Sequence, residues 1–298
     1  MGTYFYEAKD KKRIFVREWT DVTSPVGVIQ ISHGMVEHSG RYEIFANEMN
    51  KRGFIVFADD HRAHGVTDDK TPGYSDGDIF NLTLSDLGEL TDLYKAKYNL
   101  PVIIFGHSYG SFLTQRYIEE YGDKVEGAVI GGSCYMKNAT VRMGRSLASE
   151  ACALGKAKKP AKLLKKLSFD SYDRQCGGSF ISSLPEEVDR YFADSKCTFI
   201  CSYAFYKYFF RGIYSAYSNE NLAKLKKGFP VLLIAGKNDP VGEMGNGVIK
   251  LAEMYKGLSL DVKTVLYDGV RHEFLNDTSR AAAFDEIASF AEKLCTKK

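Results

Sequence analysis

Ser108, in the sequence Gly106-His107-Ser108-Tyr109-Gly110, is the residue whose setting most directly indicates chemistry. The apolar run PVIIF precedes this pentapeptide, and a segment with amphipathic helical spacing follows it. G-x-S-x-G at a strand-to-helix turn is typical of a nucleophile elbow, in which a strained backbone lifts the serine hydroxyl above the sheet edge. The glycines let strand and helix pass closely because they have no Cβ. We therefore predict that Ser108 is a nucleophile that becomes acylated.

A serine hydroxyl needs a neighbouring base, and a third group must orient that base. The chain has six histidines, at 33, 38, 61, 64, 107 and 272, and only His272 follows Ser108. His107 adjoins the serine, but the elbow is expected to direct the two side chains apart. His272 comes just after the strand-like run DVKTVLY. We predict that His272 is the general base.

The predicted acid is Asp239, in the sequence KNDP just past the strand-like run VLLIAG. The carboxyl ends of parallel strands are where open α/β sheets place functional groups. Asp268 and Asp277 compete for the role, but each is too near His272 in sequence to lie at the end of a separate strand. Asn-Asp-Pro also favours a turn, which is compatible with the catalytic role.

Acyl transfer also requires two N–H donors for the developing oxyanion. One is expected to be the backbone amide of Tyr109, directly after the nucleophile. The other is expected in the loop ISHGM, where Gly34 allows a tight turn and the backbone amide of Met35 becomes the second donor.

Short apolar, β-branched runs alternate with helical patterns and predict the elements that position these residues. Eight strands are expected near 2–7, 13–19, 26–32, 54–58, 101–106, 126–131, 230–235 and 262–267. The first two strands resemble a hairpin. Helices are expected at 40–52, capped by Ser39, and at 82–98, 110–121, 246–256 and 279–296. The alternation indicates an α/β fold with a mostly parallel eight-stranded sheet and helices on both faces.

One long stretch lacks parallel strands and is predicted to be an inserted helical lid. The expected division is a core of residues 1–132 and 222–298 and a lid of residues 133–221. Residues 151–169 hold six lysines and no acid, and residues 199–217 hold nine aromatic side chains. We expect these aromatics to line or roof an apolar pocket over Ser108, whose size Tyr109 limits. The basic segment is a candidate for peripheral contact with lipid surfaces.

Composition excludes several classes of protein. The 298 residues include 40 basic and 38 acidic ones, a net charge of +2, so no strong field indicates a nucleic-acid partner. No apolar run is long enough to span a bilayer, and the N-terminal residues lack the apolar core of a signal peptide, which favours a cytoplasmic location. The six cysteines show no paired zinc-binding spacing. We expect reduced thiols, no metal and no cofactor, while the oligomeric state is left open.

Five motifs, HGMVEHSGRYE, FADDHRAHG, GHSYG, GKNDPVG and RHEFLND, occur in this order. Together they resemble the monoacylglycerol lipase and lysophospholipase family of α/β-hydrolases, which also includes serine aminopeptidase-like enzymes. The resemblance covers nearly the whole chain except the lid. It implies the α/β-hydrolase fold, the same nucleophile, acid and base, and oxyanion donors at Met35 and Tyr109. It also makes Glu37, His38 and Arg41 a structural polar network behind the oxyanion loop.

Two motifs depart from the pattern of the lipase relatives. Tyr109 and Ser111 replace the residues of G-H-S-M-G-G, and Ala63 replaces a glycine of D-H-R-G-H-G. The tyrosine leaves the long-chain monoglyceride assignment open.

The predicted function is hydrolysis of carboxylic esters through an acyl-enzyme. The expected substrates are monoacylglycerols, lysophospholipids or similar short-to-medium acyl monoesters. An aminopeptidase is the first alternative, with Glu186, Glu187 and Asp189 as holders of a substrate ammonium, although the solvated first turn of a helix is the simpler role for them. An inactive binding protein on the same scaffold is the second alternative.

Overall fold

The structure is a computed structural model and describes residues 1–296. Its centre is one sheet of eight strands: β1 Gly2–Glu7, β2 Arg13–Trp19, β3 Gly27–Ser32, β4 Phe54–Asp59, β5 Val102–His107, β6 Gly127–Gly131, β7 Pro230–Gly236 and β8 Asp261–Tyr267. The spatial order is β1-β2-β4-β3-β5-β6-β7-β8. The pairs β1–β2 and β2–β4 are antiparallel, and every other pair is parallel. The predicted α/β-hydrolase sheet is confirmed, with each strand end within one residue of its expected position.

Eleven α-helices surround the sheet within the described residues. They are α1 Glu43–Lys51, α2 Ile79–Tyr98, α3 Tyr109–Tyr121, α4 Ala139–Ala151, α5 Lys162–Leu167, α6 Phe169–Cys176, α7 Pro185–Ala193, α8 Tyr203–Ser215, α9 Asn219–Leu222, α10 Asn246–Gly257 and α11 Arg280–Cys295. Short 3-10 turns cover Ser39–Tyr42, Gly122–Lys124, Ser195–Cys197 and Phe274–Asn276, and a π turn covers Cys152–Lys156. No helix in residues 1–296 combines the length and apolarity that crossing a membrane requires.

Both faces of the sheet are covered, as β5 illustrates. Val102 and Ile104 pack in a cluster with α2, α3 and α10, whereas Ile103 and Phe105 pack in a second cluster with α1 and α11. Successive strand residues point to opposite faces, so a strand buried on both sides needs apolar residues throughout. This requirement explains the continuous apolar run that precedes Ser108.

The register aligns the carboxyl ends of the parallel strands along one edge. Ser32 pairs with Gly106, His107 with Gly131, and Gly236 with Tyr267. The loops that follow β3, β5, β7 and β8 therefore emerge side by side, and these loops carry the predicted site residues.

Residues 133–221, called the insertion from here on, connect β6 to β7 mainly through α4 to α8. Helix α8 packs on α4 and contacts α2 and α3 of the sheet layer. Helix α9 crosses the predicted boundary at residue 221. The division of the chain into a core and a lid stays a prediction.

The expected cap of the first helix is wrong. Ser39 lies inside the 3-10 turn, and its hydroxyl donates to the buried carboxylate of Asp60. The cap is His38, whose Nδ1 accepts from the amide of Gly40 at 3.2 Å. A buried carboxylate competes for the serine hydroxyl, and spacing along the sequence does not reveal such a partner.

Candidate active site

Ser108 occupies a strained turn between β5 and α3. Its φ of +52° and ψ of −118° lie where a side chain is disfavoured, and its amide donates to Gly131 at 3.0 Å. A Cβ on Gly110 would lie 1.9 Å from the carbonyl oxygen of Ser32, and one on Gly106 would lie 2.2 Å from Oγ1 of Thr114. Only glycine fits at both positions, so the sequence pattern at the elbow follows from this packing.

His272 and Asp239 form a buried hydrogen-bonded pair. Nδ1 of His272 lies 2.9 Å from Oδ2 of Asp239, whose carboxylate is shielded from solvent. The other carboxylate oxygen accepts from the amide of Val241 at 2.8 Å. Because the carboxylate can only accept, the imidazole proton sits on Nδ1 and Nε2 keeps its lone pair.

The two competing aspartates lie elsewhere. The side chain of Asp268 is 85% exposed and pairs with Lys237 at 2.7 Å. Asp277 accepts from the amides of Ser183 and Arg271 instead of from an imidazole. Of the three aspartates, Asp239 is the one that bonds the imidazole of His272.

The loop after β3 lies directly against Ser108. A Cβ on Gly34 would lie 3.2 Å from Cβ of Ser108 and 2.5 Å from Oε1 of Glu37, so a side chain there would force the Glu37 carboxylate to shift. Met35 follows and lines the same cavity as Ser108. Tyr109 is the first residue of α3, and the N–H groups of a first helical turn have no partner within the helix. Both predicted donors therefore border the nucleophile, and their oxyanion role stays a prediction.

Glu37 anchors this loop from behind. Its carboxylate accepts from the amide of Gly34, from the hydroxyl of Tyr42 at 2.9 Å and from Arg41 at 3.1 Å. Burial would raise the pKa of the Glu37 carboxyl, but the contacts with His107 and Arg41 outweigh burial and hold this pKa well below its usual value. The carboxylate is therefore ionised and can hold all of its donors.

Arg41 connects Glu37 to the residue that follows His272. Its guanidinium donates to both carboxylate oxygens of Glu273, the residue after His272. His38 reaches in another direction and donates from Nε2 to Asp194 of the insertion at 2.8 Å. Of the three side chains assigned to a polar network by resemblance, Glu37 and Arg41 are hydrogen-bonded to each other, whereas His38 bonds Asp194 and the amide of Gly40 instead.

One group of three side chains in residues 1–296, His38, Asp194 and Cys197, could offer metal ligands within 4.8 Å of one another. Nδ1 of His38 accepts from Gly40, so Nε2 carries the ring proton and donates to Asp194. Neither ring nitrogen has a free lone pair for a metal. Burial raises the pKa of the Cys197 thiol, which keeps it protonated. The donor set does not fit a metal ion, and the cluster links the insertion to the loop after β3 through hydrogen bonds.

A cavity of about 520 Å³ lies between the sheet edge and the insertion. Ser108, His272 and Met35 border it on the sheet side, and apolar side chains of α4, α6 and α8 form the opposite wall. The wall includes Met143, Leu147, Phe169, Tyr172, Tyr206, Phe209 and Phe210. The volume and apolar lining are typical of small-molecule sites.

The aromatic cluster at 199–217 contributes less to this wall than expected. Only three of its nine aromatics, Tyr206, Phe209 and Phe210, line the cavity. Phe205 packs on the ring of Tyr109 with centroids 5.2 Å apart. The other six aromatics do not line the cavity, and Phe205 among them packs α8 against α3.

The insertion carboxylates considered for a substrate ammonium do not line this cavity. Glu186 and Asp189 are exposed on α7. Glu187 is buried and pairs with Arg190 at 3.0 Å and with Arg280 at 2.5 Å. The exposed pair fits the simpler expectation of a solvated turn, whereas Glu187 is a buried anchor between α7 and α11.

Sequence reasoning missed two residues that contact His272. His107 donates from Nε2 to the carbonyl oxygen of His272 at 3.1 Å, although its ring was expected only to point away from Ser108. Phe180 places its ring centroid 5.4 Å from that of His272. No periodicity links these positions, so only the tertiary structure reveals the contacts.

Comparisons with known proteins identify the family of this chain. A family model described as "Serine aminopeptidase, S33" matches residues 23–279. The chain is 29% identical to human monoglyceride lipase over 265 residues, which is 88% of this chain and 80% of the human protein. It is 26% identical to the monoacylglycerol lipase of Mycolicibacterium smegmatis over 286 residues, which is 93% of this chain and 92% of the relative.

A solved structure is similar over the full length. A thermostable carboxyl esterase from Bacillus coagulans, solved with glycerol, superposes with a TM-score of 0.90 at 25% identity and covers 99% of both chains. This protein is therefore a hydrolase of the serine hydrolase type and belongs to the monoacylglycerol lipase-like α/β-hydrolases, within the family described by the S33 serine aminopeptidase model.

Proposed function

We propose that this protein hydrolyses carboxylic monoesters through an acyl-enzyme, with Ser108 as nucleophile, His272 as general base and Asp239 as the orienting acid. One observation carries the proposal: a strained serine and a histidine bonded to a buried carboxylate border the same apolar cavity. The lipase relatives support an ester or lipid substrate.

In the proposed mechanism, Oγ of Ser108 attacks the ester carbonyl carbon while its proton moves to Nε2 of His272. The amides of Met35 and Tyr109 stabilise the oxyanion. Collapse breaks the bond to the alcohol, which leaves with the proton from His272. Water then attacks the acyl-enzyme with His272 again as base, and the free acid and Ser108 are released.

The proposed substrates are monoacylglycerols, lysophospholipids or similar monoesters with short-to-medium acyl chains. A cavity of about 520 Å³ with an apolar wall suits one acyl chain. Triacylglycerols are expected to be poor substrates because the insertion leaves little room for a bulky leaving group. Cytoplasmic location stays part of this proposal.

The description of the matching family makes aminopeptidase activity the second candidate. Such an enzyme must hold a substrate ammonium, yet the carboxylates that line the cavity already face cations. Glu37 and Glu273 contact Arg41, and Glu243 pairs with Lys250 at 2.9 Å. We therefore favour the ester.

A substrate panel tests this choice. Purified protein is assayed with p-nitrophenyl esters from acetate to palmitate, monoacylglycerols, lysophospholipids and aminoacyl anilides. The ester proposal expects kcat/KM to rise with acyl length up to a limit and expects slow anilide cleavage. A flat acyl profile together with faster cleavage of anilides would favour the aminopeptidase.

We also propose that the insertion contacts anionic lipid surfaces near the cavity. Helix α5 carries Lys162, Lys165 and Lys166, and its Leu163 and Leu167 are 48% and 51% exposed. Leu167 also lines the cavity, so this basic, apolar surface adjoins the proposed acyl site. Basic residues near an anionic membrane each contribute about 1 kcal/mol to binding.

Vesicle flotation tests this contact. Phosphatidylcholine vesicles with phosphatidylserine should retain the protein, and K162E/K166E should lose retention. The control Lys293→Glu, at an exposed position of α11, should keep retention. Equal retention of the double variant and the control would contradict the contact.

A further inference from the structure

A short segment of the insertion, residues 176–184, runs alongside residues 268–277, the loop that carries His272. We call these segments the strap and the base loop. The amide of His272 donates to the carbonyl of Phe180 at 3.1 Å, and the amide of Glu273 donates to that of Ile181 at 2.8 Å. These two bonds join the backbones of the two segments.

Arg271 adds a clamp across the same junction. Its Nη1 donates to the carbonyl of Ser179 at 2.6 Å and to that of Ser182 at 3.3 Å. Its Nη2 donates to the carbonyl of Cys176 at 3.1 Å. Cys176 ends α6, where unpaired carbonyls and the helix dipole favour a cation. One planar side chain therefore fixes three strap carbonyls through charge-assisted hydrogen bonds.

Asp277 closes the junction at its other end. Its carboxylate accepts from the hydroxyl and amide of Ser183 in the strap and from the amide of Arg271 in the base loop. Ser182 donates from its hydroxyl to the carbonyl of Asn276 at 2.7 Å. The strap is thus bonded along its length to the base loop.

The imidazole of His272 depends on this junction for its orientation. Asp239 holds the ring only at Nδ1, while Phe180 of the strap packs against the ring and bonds the backbone amide. A base must be held closely to accept the serine proton, and a misplacement of about 1 Å can cost 100-fold in rate.

We propose that Arg271 is a positioning residue for the base, acting through the strap. The strap, residues 176–184, would then belong to the catalytic unit. It would stay in place if the rest of the insertion opened. The inference rests on the proposed function, in which His272 is the general base.

The test compares Arg271→Met with the matched control Arg174→Met. Arg174 lies on α6 beside the strap and is exposed, so its loss removes the same charge from the same region. Hydrolysis of p-nitrophenyl acetate and octanoate gives kcat and KM, a fluorophosphonate probe gives a labelling rate, and thermal unfolding gives Tm. Acetate needs little of the acyl wall, so it reports on the base and not on the cavity.

For Arg271→Met we expect kcat to fall at least about tenfold on both esters, KM to change less than about threefold, and labelling to slow in proportion to kcat. Arg174→Met should match the parent. A loss confined to octanoate, or a change in KM alone, would overturn the positioning role and indicate an effect on the cavity.

If Arg271→Met does not fold, Arg271→Lys tests whether Arg271 positions His272. Its ammonium keeps the charge but not the planar fork, so kcat on acetate should fall several-fold, and parental kcat would overturn the proposal. Ser108→Ala is run in parallel. If Ser108→Ala stays active, the proposed function fails. If Ser108→Ala is inactive while Arg271→Met matches the parent, only this inference fails.

Discussion

The imidazole of His107 donates from Nε2 to the backbone carbonyl of His272 over 3.1 Å, with the two ring centroids 4.9 Å apart. Burial would lower the pKa of His107, but the Glu37 carboxylate outweighs burial and raises it above the usual value. The residue before the proposed nucleophile thus holds the backbone of the proposed base, and one hydrogen bond joins the end of β5 to the loop after β8.

Removal of this donor should slow catalysis without abolishing it. His107→Leu cannot bond the carbonyl of His272, so we expect kcat on p-nitrophenyl butyrate to fall about tenfold. His107→Gln retains an N–H donor and should keep more of the activity. Steady-state kinetics check both variants, and equal loss in the two would contradict the role of the hydrogen bond.

Asp239 should matter far more than the aspartates nearer to His272 in sequence. Asp239→Asn leaves a similar shape but favours the wrong imidazole tautomer, so kcat should fall about 10³- to 10⁴-fold. Asp268→Asn changes an exposed side chain and should keep parental kcat. Esterase assays on both variants decide, and a larger loss for Asp268→Asn would refute the assignment of the acid.

The contribution of His64 to stability should decrease on acidification because burial holds its imidazole neutral. Burial lowers the pKa of His64 to about 4, against an ordinary value of 6.5. Between these values the unfolded chain binds more protons, so the contribution is complete above pH 6.5 and is lost as pH falls toward 4. Urea unfolding at pH 7.5 and 5.5 checks this expectation.

His64→Phe provides the comparison, since aromatic rings of Tyr109, Phe199 and Phe205 surround the site. The parent should lose about 1 kcal/mol more than this variant over the same pH interval. Identical pH dependence in the two proteins would show that folding does not lower the pKa of His64.

The acyl-length limit should respond to the wall of the cavity. Leu147 of α4 lines the cavity, so Leu147→Trp should shift the preferred ester to a shorter acyl chain. Each methylene buried is worth up to about 0.8 kcal/mol, so kcat/KM should rise several-fold per two carbons before that limit. Leu154→Trp is the control, because that side chain is 72% exposed and does not line the cavity. An unchanged profile in Leu147→Trp would place the acyl chain elsewhere.

Sequence patterns predicted the strands and the strained turn at Ser108 well because their determinants are local. Apolar runs reflect burial on both faces of β5, and the glycines beside Ser108 reflect contacts within a few ångströms. The strap could not be predicted this way. Arg271 binds carbonyls of residues about 90 positions away, and backbone carbonyls carry no residue-specific signal. The prediction that Ser39 caps the first helix was wrong for a related reason, because the Ser39 hydroxyl bonds Asp60 of another loop.

Mass analysis of the trapped acyl-enzyme tests whether Ser108 is the nucleophile. The protein is mixed with p-nitrophenyl butyrate, quenched in acid during the initial burst and digested, and the peptide carrying residues 106–110 is weighed. We predict a butyryl adduct on Ser108, a burst of nitrophenol near one equivalent, and neither signal in Ser108→Ala. An adduct on another residue, or turnover by Ser108→Ala within tenfold of the parent, would show that Ser108 is not the nucleophile.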